Sequence, residues 1–214
     1  VKEHPGHTVI SYVNTTAAVK AVTDVVVTST NARQIVESFP EDEKIIFGPD
    51  RNLGNYINSV TGRNMLLWDG ACHVHEQFSV EKIVELKQQH PGAVVLAHPE
   101  CKGTVLKLAD VVGSTAALLK YAVVHPEKEY IVATESGILH EMQKKCPQTK
   151  FIPAPPNDST CACNECNFMR LNTLEKLYNC LKDESPEIKV DAEIAEKAVK
   201  PIKRMLEISA KLGL

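Results

Sequence analysis

The chain carries the same pattern twice, which narrows the folds open to it more than any other feature. Residues 7–29, "HTVISYVNTTAAVKAVTDVVVTS", lie over residues 93–115, "AVVLAHPECKGTVLKLADVVGST", at an offset of 86. Val9 matches Val95, Val19 matches Val105, and "DVV" at 24–26 matches "DVV" at 110–112. Further on, "EKIIFGPD" is answered by "EKEYIVATE", which sets Asp50 near Glu135, and "NMLLWDGACHVHE" by "KFIPAPPNDSTCACNEC".

Each copy alternates short apolar runs with helical patterns. In the first, residues 8 to 13 and "VVVTS" read as strands, while "TTAAVKAVTD" has helical spacing behind a capping Thr and "NARQIVESF" is amphipathic. "EKIIFGPD" is a third strand ending in a turn, "LGNYINSVTG" a helix stopped by Gly62, and "NMLLWDGACHVHE" a fourth strand running into a loop. Continuous apolar strands joined by helices belong to a parallel sheet covered on both faces. The expectation is therefore an α/β protein of two homologous three-layer αβα domains, residues 1–90 and 91–172. A charged helical segment, 173–214, follows, with Pro186 and Pro201 as punctuation.

Bulk properties exclude several classes. A net charge of −3 leaves no electrostatic footprint for nucleic acid. No apolar run approaches the roughly 18 residues that a membrane span needs, and no signal peptide opens the chain. Seven cysteines, an odd count, argue against a secreted disulfide framework and for a reducing cytoplasm. The sequence opens at Val1 without Met, which raises the expectation of a fragment.

In open α/β sheets, ligands gather beyond the carboxyl ends of strands. The repeat puts polar residues there in matching positions: Tyr12 and Asn14 over His98 and Glu100, Ser29 over Thr115, and Cys72 over the loop of Cys161, Cys163 and Cys166. A site shared between the two domains is implied. His98 and Glu100 stand at i and i+2, so an extended backbone points both to one side, as acid–base chemistry requires. A salt-bridged loop gives the same pattern, and Cys101 reads as a neighbour. "GST" at 113–115, with Ser114 and Thr115, and "VTSTN" at 27–31 offer hydroxyls and amides at helix starts, suited to phosphate or carboxylate. Ordinary helix caps look alike one at a time, less so as a facing pair.

Cys146 and Cys180 read as small buried hydrophobes on helices. The triple in "DSTCACNECNFMR" does not, because three thiols crowd a polar loop. Zinc and an iron–sulfur cluster are level on spacing, with Cys72, His73 and His75 available to complete a zinc set. A redox pair at Cys163 and Cys166 ranks third, being far from the start of a helix after a first strand. A metal-free α/β binder of a sugar phosphate is a further reading.

Taken together, "YVNT", "TSTNA", "PDRNLG", "WDGACHVHE", "HPEC", "GSTAALL", "IVATESGI", "IPAPPND" and "CNECNFMRLNTLEKL" resemble, in this order, the quinolinate synthase family of de novo NAD biosynthesis. The resemblance covers nearly the whole chain. It implies condensation of iminoaspartate with dihydroxyacetone phosphate, with loss of phosphate and water, to quinolinate. It also implies three homologous αβα domains about a pseudo-threefold axis around a 4Fe–4S cluster. Each domain would supply one cysteine, and the fourth iron would stay open for substrate. The ligands matched here are Cys72 and Cys166, with Cys161 and Cys163 close but not coordinating, able to form a redox pair with each other or with Cys166 that controls cluster loading. Tyr12, Asn14, Ser29, His75, His98, Glu100, Ser114 and Thr115 would surround the substrate, and an aspartate-oxidising enzyme would be a functional partner. Measured against this family, the first domain, with its cysteine and a catalytic His/Tyr pair, is expected to be missing. The C-terminal helices would then lack a partner, and the chain by itself would be inactive.

Overall fold

The computed structural model describes residues 1–126, 128–158 and 164–214, so Cys161 and Cys163 lie outside the described residues. The first repeat folds as β1 (Thr8–Tyr12), α1 (Ala17–Lys20), β2 (Val25–Val27), α2 (Ala32–Glu37), β3 (Ile45–Phe47), α3 (Arg51–Thr61), β4 (Leu66–Leu67) and α4 (His73–Glu76). The second runs through α5 (Val80–Gln89), β5 (Val94–Ala97), α6 (Gly103–Leu106), β6 (Val111–Val112), α7 (Thr115–Val124), β7 (Tyr130–Ala133), α8 (Ile138–Lys145) and β8 (Phe151–Pro153). Helices α9 (Leu174–Asp183) and α10 (Ala192–Leu212) close the chain.

Two separate parallel sheets result, ordered β2-β1-β3-β4 and β6-β5-β7-β8, so the duplication in sequence is a duplication in topology. Ile10 pairs with Val25 as Leu96 pairs with Val111, which keeps the offset of 86. One residue is lost before the third strand, where Thr8 pairs with Ile45 and Val94 with Tyr130. An aspartate before each second strand serves the strand beside it. Val9 N donates to Asp24 Oδ2 at 2.8 Å, and Val95 N donates to Asp110 Oδ2 at 2.7 Å.

Burial on both sheet faces explains why the strands read as unbroken apolar runs. Val95 and Ala97 enter one core with Phe78, Ile83 and Val105, while Leu96 between them enters another with Leu118, Ala122 and Met142. Val25, Val26 and Val27 are all buried for the same reason. Each such aliphatic side chain stabilises the fold by about 1.5–3 kcal/mol on burial. Local chemistry sets the helix ends: Thr16 caps α1 through Val19 N, and α3 stops at Gly62, whose φ of 72° is left-handed.

The C-terminal segment departs from its sequence pattern in two places. Pro201 reads as punctuation, yet α10 runs unbroken through it. A proline inside a helix costs about 3 kcal/mol or more. Packing offsets this, since α10 lies on α1, α2 and β2, with Met205, Ile202 and Ile208 joining the first core. Asn31 Nδ2 also donates to Ser209 Oγ at 3.2 Å. Cys180 reads as buried but is exposed, because α9 packs on nothing among the described residues. Leu174, Leu177, Tyr178 and Leu181 keep the spacing of a core-facing stripe, and Leu174 is 83% exposed. None of the described helices is long and apolar enough to cross a membrane.

These two helices are expected to respond differently to truncation. Met205→Ala should destabilise the chain by about 2 kcal/mol or more. Leu177→Ala and Leu181→Ala should stay within about 0.5 kcal/mol of the parent. Urea unfolding followed by circular dichroism measures all three, and a large loss in either α9 variant would show that the stripe is covered.

Candidate functional site

The carboxyl ends of the strands carry a buried acid–base cluster assembled from both repeats. Glu100, just past β5, places Oε2 3.1 Å from His75 Nδ1 and 4.0 Å from His98 Nδ1. The closer partner of the carboxylate is thus His75 from the other repeat, rather than its sequence neighbour. The two imidazoles stack with centroids 4.6 Å apart and planes 20° from parallel. His75 Nε2 lies 3.1 Å from Thr134 Oγ1, and all four residues are buried. His75 and Glu100 meet closely but not along a hydrogen-bond axis: His75 Nδ1 and Glu100 Oε1 make no hydrogen bond among the described residues.

His98 has a definite tautomer. Its Nδ1 accepts the amide of Glu100 at 3.3 Å, so a neutral ring carries its proton on Nε2. Burial, and then the neighbouring His75, lower its pKa to about 4, against a smaller upward pull from Glu100. His75 goes the other way. Burial lowers it, but contact with Cys72 and Glu100 outweighs burial and raises it to about 9. Burial pushes Glu100 up, yet His75, His98 and Tyr12 hold its carboxyl below the usual range. Burial and then the Glu100 charge raise the Tyr12 phenol to about 12, with Ser29 its other polar neighbour. At neutral pH the cluster holds one imidazolium, one neutral imidazole, one carboxylate and one phenol. Environments that push titratable groups apart in this way assign acid and base roles.

Next to this cluster, Ser29 and Arg33 of the first repeat and Pro99, Gly113 and Ser114 of the second line one cleft of about 210 Å³. The two hydroxyl-bearing loops therefore do face each other. Ser114 caps α7 through Ala117 N at 3.3 Å, and Thr115 begins that helix. Asn14 is exposed beyond β1 and joins no hydrogen bond of the cluster. A larger cleft of about 470 Å³, lined by Asn52, Tyr56, Lys107 and others, holds none of the buried acid–base groups, so size alone does not mark the site.

Cys72, the residue before α4, is half-buried with a free thiol, and its sulfur lies within 4.8 Å of donor atoms of His75 and Glu100. Cys166 is also half-buried and free but does not belong to that group of donors. The two cysteine loops nevertheless approach, because His73 meets Phe168 edge-on with centroids 5.2 Å apart. Asn157 N also donates to Gln77 O at 2.7 Å, and Phe78 bridges Pro156. Cys101 lies in the core, where its Sγ donates to Ala133 O at 3.3 Å and burial pushes the thiol up. Thr134 was not legible in advance. Asp50 and Glu135 stood out only as a pair aligned by the repeat, though Cys72 N donates to Asp50 Oδ2 at 2.6 Å.

Fold and site together define an α/β protein that gathers buried acid–base groups and free thiols at the strand ends of two repeated units. Its sequence matches the family model described as Quinolinate synthetase A protein over residues 1–207. It is 56% identical over 207 residues to the quinolinate synthase of Synechococcus sp. (strain ATCC 27144), covering 97% of this chain and 65% of that protein. Similarity to the quinolinate synthase of Chloroherpeton thalassium is 55% over 207 residues, or 97% of this chain and 64% of that protein. The chain belongs to the quinolinate synthetase A family. It spans about 65% of the length of these relatives.

A buried neutral His98 has a consequence for stability. Its folded pKa of about 4 lies below the ordinary 6.5, so the unfolded chain binds a proton first as pH falls. Stability should drop between pH 6.5 and 4, by up to about 3 kcal/mol from this residue. His75, raised to about 9, acts in another window, contributing stability that is full below 6.5 and lost as pH rises. Urea midpoints at pH 7 and 4.5 should fall further apart in the parent than in His98→Asn, whose Oδ1 can still accept the Glu100 amide. An equal drop in both would contradict a neutral buried imidazole.

Proposed function

We propose that this chain forms two of the three units of a quinolinate synthase, which joins iminoaspartate to dihydroxyacetone phosphate with loss of phosphate and water. The observation that carries the reading is one continuous run of side chains, Ser29, Tyr12, Glu100, His75 and Cys72, from the anion cleft to a free thiol. Cys72 and Cys166 suit a 4Fe–4S cluster, being free, half-buried thiols on loops that approach each other. The Glu100 carboxylate lies within 4.8 Å of the Cys72 sulfur, and its buried Oε1 has no hydrogen-bond partner among the described residues. When bound, the cluster supplies an open iron position, a Lewis acid for a carboxylate or hydroxyl oxygen. The third cysteine ligand we assign to the part of the relatives that this chain does not span. The chain by itself is then catalytically silent.

Each residue of the cluster has a task in this reading. Ser29, Ser114 and Thr115, with the α7 amides, bind phosphate or carboxylate oxygens. Glu100 takes a proton from the enolising triose and later returns it, while His75, charged at neutral pH, holds the carboxylate in place. His98, protonated on Nε2, and Tyr12, kept as a phenol, donate to carbonyl or imine oxygen and nitrogen, with Asn14 orienting the same group. Iminoaspartate must come from an enzyme that oxidises aspartate, the functional partner we propose, in the cytoplasm.

A second reading has one specific observation in its favour. Cys72, His75 and Glu100 offer sulfur, nitrogen and oxygen within 4.8 Å of one another, a donor set that suits a single zinc ion. Colour and metal analysis separate the two, since a zinc protein is colourless and a cluster protein brown.

The test uses this chain extended to the full length of its relatives. After anaerobic reconstitution it should hold about four irons and form quinolinate, while the 214-residue chain holds little iron and forms none. In the extended protein, Glu100→Gln and His98→Ala should each lower turnover by about 10²-fold or more with the visible spectrum intact. A near-parental rate in both would remove Glu100 and His98 from the chemistry. Stoichiometric zinc with no iron would favour the second reading.

A further inference from the structure

The acid that follows the third strand of each repeat holds more than the start of a helix. Asp50 Oδ1 accepts from the amides of Asn52 and Leu53 at 2.7 and 2.9 Å, capping α3, while Oδ2 accepts from Cys72 N at 2.6 Å. Glu135 divides its oxygens in the same way. Oε2 accepts from Gly137 N at 2.7 Å, ahead of α8, and Oε1 accepts from Cys166 N at 3.3 Å. The two acids are equivalent in the fold, each three residues past the partner of a central-strand residue: Phe47 pairs with Ile10, and Val132 with Leu96. The sequence separation of acid and cysteine differs, 22 positions in one repeat and 31 in the other, yet the chain ends in the same contact.

We propose that Asp50 and Glu135 are positioning residues that tether the backbone of Cys72 and Cys166 to the rigid corner between the third strand and the next helix. Loops of unequal length would otherwise leave the two thiols at independent positions. Fixing each amide confines its sulfur to the few places that the side-chain rotamers allow. A carboxylate suits the task because its two oxygens accept at once from the helix start and from the loop, as charge-assisted bonds. That the tethered thiols are cluster ligands rests on the function proposed above; the tether itself does not.

Amide substitutions separate the two halves of each contact. In Asp50→Asn the remaining carbonyl oxygen can still cap α3, but the new NH₂ meets the Cys72 N–H donor to donor. The measurement is amide hydrogen exchange at Cys72 and Cys166 in the metal-free 214-residue chain, with thermal midpoints recorded beside it. Asp50→Asn should speed exchange at Cys72 about tenfold, equivalent to about 1.4 kcal/mol, and leave Cys166 unchanged. Glu135→Gln should do the reverse, with a smaller effect through its longer bond. Asp50→Ser, which caps but does not reach Cys72, should reproduce the asparagine result and serves if that variant does not fold. Unchanged exchange at the matching cysteine, or equal acceleration at both, would overturn the proposal. If exchange responds as expected but iron retention in the extended protein does not, the tether stands and the ligand role of the cysteines fails.

Discussion

A carboxylate as deeply buried as Glu100 is stable only where positive charge or hydrogen-bond donors meet it, and the arrangement of this protein follows from that need. Its compensation comes from His75 on α4 and Tyr12 at the end of β1, while Glu100 itself follows β5. Three separate segments must therefore converge on a single oxygen pair. Such a meeting point is available only where the carboxyl ends of both sheets face each other. The charge is not simply neutralised: among the described residues one oxygen has no hydrogen-bond partner, so the cluster is compensated enough to persist and open enough to receive a further group.

Duplication supplies that meeting point economically. Each unit brings the same strand order, an aspartate beside its first strand and an acid, Asp50 or Glu135, after its third. The units have diverged in what they mount on this frame. At the end of its first strand the first repeat offers a phenol, and the second an imidazole and a carboxylate. A symmetric scaffold thus carries an asymmetric set of proton donors and acceptors.

Much of this was legible in the sequence because it is locally encoded. Strands, caps and the Gly62 stop follow from apolar runs and turn chemistry within a few residues. The register of the repeat then predicted which polar residues stand at strand ends, and Ser29 and Ser114 do line one cleft. What escaped is set by contacts far apart in the chain. "HPEC" suggested a pair between His98 and Glu100, but only the approach of α4 from the first repeat to Glu100 in the second decides that His75 comes closer. Thr134 is an unremarkable polar residue until His75 lies on it. Pro201 misleads for the same reason, since the packing that tolerates it is supplied by the opposite end of the chain.

The edges of the two sheets are short. β2 and β8 have three residues each, and β4 and β6 only two. A strand needs a longer row of free amides and carbonyls before a foreign chain can extend the sheet, so neither domain offers a template for edge-to-edge growth. β8 ends in Pro153, which lacks an amide hydrogen to give, and α10 lies along β2. Among the described residues, the duplication that created four sheet edges has left each of them too short to serve as a template for strand addition.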